Sequence, residues 1–391
     1  MKTFRLSRAV LVFALALGSL NALHAQITLI NIGHANNGGT AQGIVVSNNF
    51  AYLAAGTNGL LVYDVSNPTA PLQIGHASST SGTAAYHLAI SSNEAYVTTI
   101  APNPGLNVYD VSNPPSPSNV FRTNYNLFGG VAVDGTNLYL GGDSRLPLFN
   151  ISNPTNPILV TNPFITPNPT TICIGSNIMV ASGGSYLAAS TISNGLYSTN
   201  FLIANLTNSE AVALAGQYAF VAMNAGTTPL LVCHVLSNAL PVVGEITYPS
   251  TNASGAGYTV AVSGSYAYVG CTAGVRVINI SNPSNLVAVA QTSGAYGGIP
   301  YAIAVSGPYA YVANGTDGLR VIEVIPTLSV TQSNGSLLFS WPATSSFALQ
   351  QKALSDRNWT TLTNVPILVN GTNQLTLSPS GTGAFYRLIS M

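Results

Sequence analysis

Residues 59–68 of this chain read GLLVYDVSNP, and residues 105–114 read GLNVYDVSNP. Shorter versions of the phrase recur as LFNISNP at residues 148–154 and VRVINISNP at residues 275–283. The first part of the phrase is rich in β-branched and aromatic residues, which favour strands. The second part ends the strand, because Asp, Asn and Ser side chains bond to nearby backbone in turns and Pro has no N–H to give to a sheet. The phrase therefore predicts a repeated strand that is followed each time by a turn.

The phrase belongs to a longer repeat with a period of about 43 residues. A mostly aromatic landmark position precedes each phrase, at residues 52, 96, 139, 179, 220, 268 and 311. Each copy holds four short strand-like runs, which in the first copy are residues 44–47, 51–55, 60–65 and 72–76. Repeats of this length with four strands are typical of β-propeller blades. We therefore predict an all-β protein with a seven-bladed β-propeller over residues 26–326.

The two ends of the repeat region predict how the ring closes. The seventh copy stops near residue 326, after its third strand. Residues 28–35 read TLINIGHA and match LQIGHA at residues 72–77, which is the fourth strand of the first copy. We therefore expect the N-terminal segment to supply the outer strand of the last blade. This exchange would join the first and last blades and cover edges that otherwise invite association.

These repeats resemble the LVIVD family, whose blades carry a core like Leu-x-Val-Tyr-Asp-Val-Ser-Asn-Pro. The resemblance covers roughly residues 27–326, with copies one, two, three, six and seven matching well, copy five in part and copy four poorly. It implies a β-propeller of an extracellular protein. It implies no particular ligand or activity, because one fold hosts many functions.

The start of the chain predicts export. Lys2, Arg5 and Arg8 precede an apolar run over residues 9–20, and Ala25 suits the last position before cleavage. This order is typical of a secretory signal peptide, here residues 1–25. The run is shorter than the roughly 20 residues that a transmembrane helix needs. We therefore expect a secreted or extracellular protein with no transmembrane segment once the signal is removed.

Charged residues make up only 5% of the chain, with ten basic and ten acidic side chains. Proteins usually carry about 25%, so the surface offers no basic patch of the kind that binds nucleic acid. The hydrophobic fraction of 47%, with 37 Gly and 23 Pro, indicates a fold rich in core and turns rather than disorder. We expect no nucleic-acid partner, and we expect the protein to be a monomer.

Residues 327–391 lack the repeat and predict a second, smaller domain. Alternating apolar runs predict a small antiparallel β-sandwich, with strands near residues 328–331, 337–341, 347–351, 359–362, 374–377 and 384–389. The domain resembles C-terminal modules of large secreted bacterial proteins in its residues Phe339, Trp341, Pro342, Trp359, Tyr386, Arg387 and Leu388. That resemblance implies anchoring to a surface, sorting or carbohydrate contact, and a stabilising or spacer role is the alternative.

One column of the repeat predicts a ligand site. At the start of the first strand of each copy stand Gln42, Tyr86, Gly129, Thr170, Glu210, Tyr258 and Tyr301. In a propeller this position opens on the central channel, and Tyr with Glu and Gln suits sugars or other polar organic ligands. We predict a site made of Gln42, Tyr86, His87, Glu210, Tyr258 and Tyr301. The alternative is that the tyrosines only pack between blades.

Motifs for metal binding and catalysis are missing from the sequence. It contains no His-x-His, His-Glu-x-x-His, Cys-x-x-Cys or calcium loop, so we predict no metal and no cofactor. Cys173, Cys233 and Cys271 fall in different blades, which argues against disulfides. No Gly-x-Ser-x-Gly or phosphate-loop sequence occurs, and no catalytic residue is assigned.

The leading functional prediction is an exported, non-catalytic binding or interaction protein with carbohydrate or surface proteins as partners. The alternative is a secreted hydrolase or lyase that acts at the channel mouth with Glu210 and His87. Glycoside hydrolysis requires two carboxylates at a defined separation, whereas the column supplies one. The sequence therefore favours binding over catalysis. A third hypothesis is a structural spacer whose C-terminal domain carries surface attachment.

Overall fold

The computed structural model describes residues 27–390 except residues 80–82, 125–128, 166–168, 176, 199–200, 226, 248–254, 293, 295, 334, 344–346, 354–355, 357 and 379–383. The predicted signal peptide, residues 1–25, lies outside the described residues. Every helix or strand assigned in the described part is a β-strand. The all-β prediction is therefore confirmed.

The first three repeats each form one antiparallel sheet with its four strands in chain order, and we call each such group a unit. Strand β1 precedes them. The bounds are β1 (Ile27–Ala35), β2 (Gly43–Ser47), β3 (Phe50–Ala54), β4 (Leu60–Asp64), β5 (Leu72–Ala77), β6 (Ala84–Ser91), β7 (Glu94–Ile100), β8 (Gly105–Asp110), β9 (Ser118–Thr123), β10 (Val131–Asp134), β11 (Asn137–Leu140), β12 (Leu148–Asn150) and β13 (Ile158–Thr161).

The fourth and fifth repeats share one seven-stranded sheet, whereas the sixth and seventh form separate four-stranded sheets. The bounds are β14 (Thr171–Gly175), β15 (Ile178–Ser193), β16 (Leu196–Tyr197), β17 (Leu202–Ala215), β18 (Tyr218–Ala225), β19 (Thr228–His234), β20 (Val242–Ile246), β21 (Gly257–Ser263), β22 (Tyr266–Cys271), β23 (Gly274–Asn279), β24 (Val287–Gln291), β25 (Ala302–Ser306), β26 (Tyr309–Ala313) and β27 (Leu319–Pro326).

The shared sheet contains a complete fourth unit, although the phrase is lost there. Strand β15 has 16 residues, and a straight strand of that length would span roughly 50 Å. Yet the Ile192 N–H donates to the Asn177 carbonyl at 2.7 Å, so β15 folds back on itself, and Gly184 on its path has a φ of 60°. Strand β17 then serves as the outer strand of unit four, paired with β15, and continues as the first strand of unit five, paired with β18.

The units close into a ring. Their first strands contact one another in the order β2, β6, β10, β14, β17, β21, β25 and back to β2. Strand β1 pairs antiparallel with β27, with Thr28 opposite Ile325 and His34 opposite Arg320, so the N-terminal segment is the outer strand of the last unit. The prediction of closure by this strand is confirmed.

The apolar core lies between the units rather than inside one of them. One cluster joins Leu53 of the first unit to Tyr311 and Val321 of the last. Similar clusters join each of the other neighbouring pairs in turn. Because one sheet cannot bury both faces alone, stacking neighbours around the ring is what removes the repeated apolar residues from water.

The strand register explains the spacing of the repeat. The small residue midway along each first strand lies opposite the landmark of the next strand, as in Ala89 with Tyr96 and Ala304 with Tyr311. In unit four Cys173 lies opposite Val180. The landmark of that copy is therefore Val180, and the prediction of position 179 is wrong by one, because this copy has no aromatic residue to mark the alignment.

The turn after the phrase is held as the sequence predicts. The Ser66 N–H donates to Asp64 Oδ1 at 2.8 Å, and Ser112 does the same to Asp110. Asn279 accepts from the Ser281 N–H at 2.9 Å in the equivalent place. Hydrogen bonds from the side chain and the backbone of Ser66 lower the pKa of Asp64, and those from the backbone and the side chain of Ser112 lower the pKa of Asp110. The shared role of Asp and Asn shows that the position caps a turn and needs no charge.

The C-terminal residues form two antiparallel sheets around a separate core. The bounds are β28 (Ser329–Ser333), β29 (Ser336–Pro342), β30 (Phe347–Ala353), β31 (Thr360–Thr361), β32 (Ile367–Val369), β33 (Thr372–Leu377) and β34 (Ala384–Ser390). One sheet has the order β28-β29-β33-β32 and the other β31-β30-β34. Phe339, Trp341, Leu349 and Tyr386 pack in the core between them. Strand β32 has no counterpart among the predicted runs.

This domain docks on unit six through its β32–β33 turn. The Tyr266 hydroxyl donates to the Gly371 carbonyl at 2.7 Å, and Asn279 Nδ2 donates to the Asn370 carbonyl at 3.1 Å. Tyr266 is buried. The two bonds join the turn to the ends of strands β22 and β23, so they fix the domain against one unit of the ring.

Candidate functional site

The starts of the first strands surround a cavity of about 370 Å³. Each unit from one to seven contributes a strand start to this wall, because the first strands are the innermost of their units. All six residues of the predicted site line this central cavity, together with Thr170, namely Gln42, Tyr86, His87, Glu210, Tyr258 and Tyr301. Gly129, the unit-three member of the column, does not line it and is replaced there by Gly130.

Backbone hydrogen bonds fix the column residues of units one, four and seven in an equivalent position. The N–H groups of Gln42, Thr170 and Tyr301 donate at 2.8, 2.8 and 2.9 Å to carbonyls on the second strands of their own units. The same bond in these three units places their side chains at the same height around the ring. Tyr86, Glu210 and Tyr258 instead lie where the register between the first and second strands of their units shifts, so the wall varies from unit to unit in backbone geometry as well as in chemistry.

The cavity has an aromatic side. Tyr258 and Tyr301, on neighbouring units six and seven, meet edge to face with ring centroids 6.3 Å apart. Gln42 follows on unit one and Tyr86 on unit two. The opposite side carries the smaller Gly130 and Thr170. A ligand would therefore meet tyrosine side chains on one side and room on the other.

Glu210 is the one carboxylate among the described residues that line the cavity. Its Oε1 accepts a hydrogen bond from Asn224 Nδ2 at 3.1 Å. Burial raises the pKa of the Tyr86 hydroxyl, and the charges of Glu210 and Tyr301 raise it further. Burial is also the main cause of the raised pKa of Tyr258. Both phenols therefore keep their protons and can donate hydrogen bonds to a ligand.

His87 adds a neutral imidazole to the wall. Its ring lies 4.4 Å from that of Tyr86 at an angle of 77°. Burial lowers the pKa of His87 to about 4, so the ring is uncharged at neutral pH. Its Nε2 atom is buried without a hydrogen-bond partner in the protein. The backbone N–H of His87 donates to Thr98 Oγ1 at 3.3 Å, and the Thr98 hydroxyl donates to the Gly129 carbonyl at 3.0 Å.

Two supporting residues were missed by the sequence analysis. Asn224 holds Glu210, and Thr98 links His87 to unit three. Both lie on second strands, Thr98 two and Asn224 four positions after the landmark residue of their copy, and neither belongs to the recurring phrase. The signal that could have found them is a polar residue directly after the apolar part of the second strand, as Thr98 follows Val97 and Asn224 follows Met223.

The other residues that could bind a metal lie away from the central cavity. His34 Nε2 lies 2.8 Å from the Asp317 carbonyl and His76 Nε2 lies 2.9 Å from the Asn58 carbonyl, each in its own unit. Across the described residues, no three His, Cys, Asp or Glu side chains gather into a metal site. The three cysteines are free thiols, and burial raises the pKa of Cys233 and Cys271 to about 11.

Comparison with solved structures finds a similar fold in proteins of low sequence identity. The computationally designed Ika8 protein is 12% identical, with a TM-score of 0.53 over 76% of this chain and 99% of its own. BamB from Moraxella catarrhalis is 15% identical, with a TM-score of 0.52 over 74% and 85%. Raptor from Chaetomium thermophilum is 12% identical, with a TM-score of 0.59 over 77% and 30%. At these identities the likeness concerns the fold alone.

A search of curated proteins finds no match to this sequence. Within the part of the chain that the structure describes, no helix has the length and apolar character to cross a membrane.

A family model described as the LVIVD repeat matches five segments, at residues 38–77, 82–125, 129–163, 254–292 and 297–338. The unmatched stretch between the third and fourth segments holds most of units four and five, where the phrase has drifted but the strands remain. The matched segments make up just over half of the sequence. The chain therefore belongs to the LVIVD repeat family.

Proposed function

We propose that the protein is a non-catalytic binding protein whose ring presents the central cavity to a polar organic ligand, with a carbohydrate chain as the favoured class. The observation that carries the proposal is the aromatic side formed by Tyr86, Tyr258 and Tyr301 beside a single carboxylate, Glu210. The volume of about 370 Å³ lies within the range of about 300–1,000 Å³ that small-molecule sites occupy.

The chemistry of the wall suits a hydroxylated ring. The apolar C–H face of a sugar packs on tyrosine rings, while its hydroxyls need donors and acceptors in fixed positions. Tyr86 and Tyr258 supply neutral phenols, Gln42 supplies an amide, and Glu210 supplies an acceptor held by Asn224. Few of these groups carry charge, which agrees with a neutral ligand.

A secreted hydrolase or lyase is the second candidate. The presence of His87 beside Glu210 among the residues that line the cavity favours it, since a neutral imidazole can accept a proton. Glycoside hydrolysis by the usual route needs two carboxylates about 5–9.5 Å apart. The described lining residues offer one, so binding is preferred.

Export and placement are part of the proposal. The sequence of residues 1–25 supports secretion, and we propose that the protein acts as a monomer outside the cell. Attachment to a surface would then fall to residues 327–391, which lie outside the ring. Surface proteins are the alternative partners.

A glycan-array screen tests the site with the Tyr258→Ala and Glu210→Gln variants. The matched control is Tyr218→Ala, which removes a tyrosine that stacks on His234 away from the cavity. We expect Tyr258→Ala to weaken binding by about tenfold, since an aromatic contact is worth roughly 0.5–1.5 kcal/mol beyond its area. Tyr218→Ala should bind as the unmodified protein does. Cleavage of a bound glycan that Glu210→Gln abolishes would replace the proposal by the hydrolase or lyase.

A further inference from the structure

The outer face of the three-stranded C-terminal sheet carries a separate group of side chains. Strands β30 and β34 pair with Gln350 opposite Arg387 and Lys352 opposite Phe385. Leu349 lies on the other face of β30, in the core. Because successive side chains of a strand point to opposite faces, Gln350, Lys352, Phe385 and Arg387 all lie on the face turned away from the core.

Positive charge is concentrated in this domain. Residues 327–391 contain three basic residues, Lys352, Arg357 and Arg387, and one acidic residue, Asp356. Residues 27–326 contain four basic and nine acidic residues. The domain is therefore formally +2 and the ring −5. An anionic polymer is attracted to the first and repelled by the second.

Arg387 is fixed in place with its outer donors open. Its Nε donates to Gln350 Oε1 at 2.9 Å, and Gln350 Nε2 donates to Thr361 Oγ1 at 2.9 Å. Gln350 is only 9% exposed, so it forms a buried support. The guanidinium carbon lies 4.2 Å above the Trp359 ring. Among the described residues, nothing bonds to the two terminal nitrogens of Arg387 or pairs it with a carboxylate.

Lys352 stands beside this arginine as a second cation. Its Nζ lies 5.7 Å from the centroid of the Trp359 ring and 5.8 Å from that of Phe385. In the described part of the chain Lys352 also has no carboxylate within ion-pair distance. Two cations held by aromatic rings lose little freedom when they meet an anion, which favours binding.

We propose that this cationic platform, made of Gln350, Lys352, Trp359, Phe385 and Arg387, binds the carboxylate groups of an acidic polysaccharide. The open fork of Arg387 matches a carboxylate in the bidentate manner. The half-buried rings of Trp359 and Phe385 and the exposed hydroxyls of strand β31 suit the C–H and O–H groups of a sugar. The site is distinct from the central cavity and does not depend on the function proposed for it.

Titration with polygalacturonate tests the platform, with dextran as the neutral polymer. We expect Arg387→Gln to weaken polygalacturonate binding by about tenfold or more, and Arg387→Lys to recover only part of that loss. Lys352→Gln should weaken it by about threefold, and added salt should weaken all binding. The matched control is Arg145→Gln, which removes a cation stacked 3.7 Å over Phe164 in the ring and should change binding less than about twofold.

Each alternative gives its own result. Equal binding by Arg387→Gln and the unmodified protein, at equal unfolding midpoints, overturns the platform, as does equal binding of dextran. If Tyr258→Ala loses polygalacturonate binding and Arg387→Gln does not, the polymer binds in the central cavity and the platform is overturned. Binding to phosphatidylglycerol vesicles without polygalacturonate binding indicates a membrane surface instead. Self-association that Arg387→Gln abolishes, in the absence of polymer binding, indicates the acidic ring of a second copy.

Discussion

Gly75 on strand β5 marks where one unit touches the next. A Cβ atom added there would lie under 3.0 Å from the carbonyl oxygen of Pro114, in the turn of the following unit. Gly33 meets Pro68 and Gly244 meets Pro283 in the same way. Since real Cβ atoms do not come so close to a backbone oxygen, Gly75→Ala must push units one and two apart. We predict that this substitution destabilises the ring.

The magnitude follows from the contact. Overpacking of this kind costs roughly 1–3 kcal/mol. Unfolding entropy is about 2.1 cal/mol/K per residue, or about 0.6 kcal/mol/K for a ring of about 300 residues, so the melting temperature should fall by about 2–5 °C. Phe121 occupies the equivalent position in unit two. The fold therefore accommodates a side chain there when the next unit is further away, and for this reason we expect a destabilisation of only this size for Gly75→Ala.

Thermal unfolding of Gly75→Ala and Gly175→Ala measures the effect. Gly175 also lies in a strand, but a Cβ there would meet only Leu214 side-chain atoms at 3.5 and 3.6 Å, which is ordinary contact. Gly175→Ala should therefore be neutral or stabilise by about 0.4–1 kcal/mol, because alanine restricts the unfolded chain. Equal melting temperatures for the two variants would refute the idea that glycine is needed for the approach of the units.

Three further predictions concern single contacts. The unfolded chain protonates His87 near pH 6.5, whereas the folded ring does so at about pH 4. As the pH is lowered from 6.5 to 4, the free energy of unfolding should therefore decrease by up to about 3 kcal/mol. The urea midpoints of His87→Gln should lack this part of the decrease. Hydrogen bonds from Ser66 lower the pKa of Asp64. The stabilisation by the Asp64 carboxylate should therefore be present above its unfolded pKa and be lost as the pH falls through the lower folded value. Asp64→Asn should remove this pH dependence while keeping the stability at neutral pH. Tyr266→Phe removes the hydrogen bond to the Gly371 carbonyl and should destabilise the contact between the ring and the C-terminal domain by about 0.5–1.5 kcal/mol. We expect faster proteolysis between the two, and an unchanged rate would contradict the role of this bond in docking.

The sequence predicts most of the ring because repetition multiplies one weak signal. The closing strand could be inferred from eight residues, since TLINIGHA copies a strand whose place in another unit was already clear. The fused strand β15 could not, because unit four keeps the backbone bond from Ile192 to Asn177 but not the phrase that would announce it. Unit four shares this backbone hydrogen bond with the other units, and many different sequences can form it.

The candidate site divides in the same way. The column from Gln42 to Tyr301 could be placed in one cavity because each member stands at the start of the innermost strand of its unit. Its supports could not be predicted: Asn224 and Thr98 act through side chains on a second strand, and their contacts depend on distances between strands that the repeat does not encode. The platform on the C-terminal sheet had no repeat to reveal it, although alternation along β30 and β34 places its members on one face.

Unequal chemistry at equivalent positions of the repeat is the reason to look for function where the repeats differ. A position that served only packing would tolerate the same residue in every unit, as the small residue opposite the landmark shows with Ala89 and Ala304. The cavity column instead ranges from Thr170 through Glu210 to Tyr258 on one wall. Packing between identical neighbours gives no reason for that variety, whereas an asymmetric ligand does, since it presents a different group to each unit. Replacing Glu210 or Tyr258 should therefore change binding far more than it changes the stability of the ring.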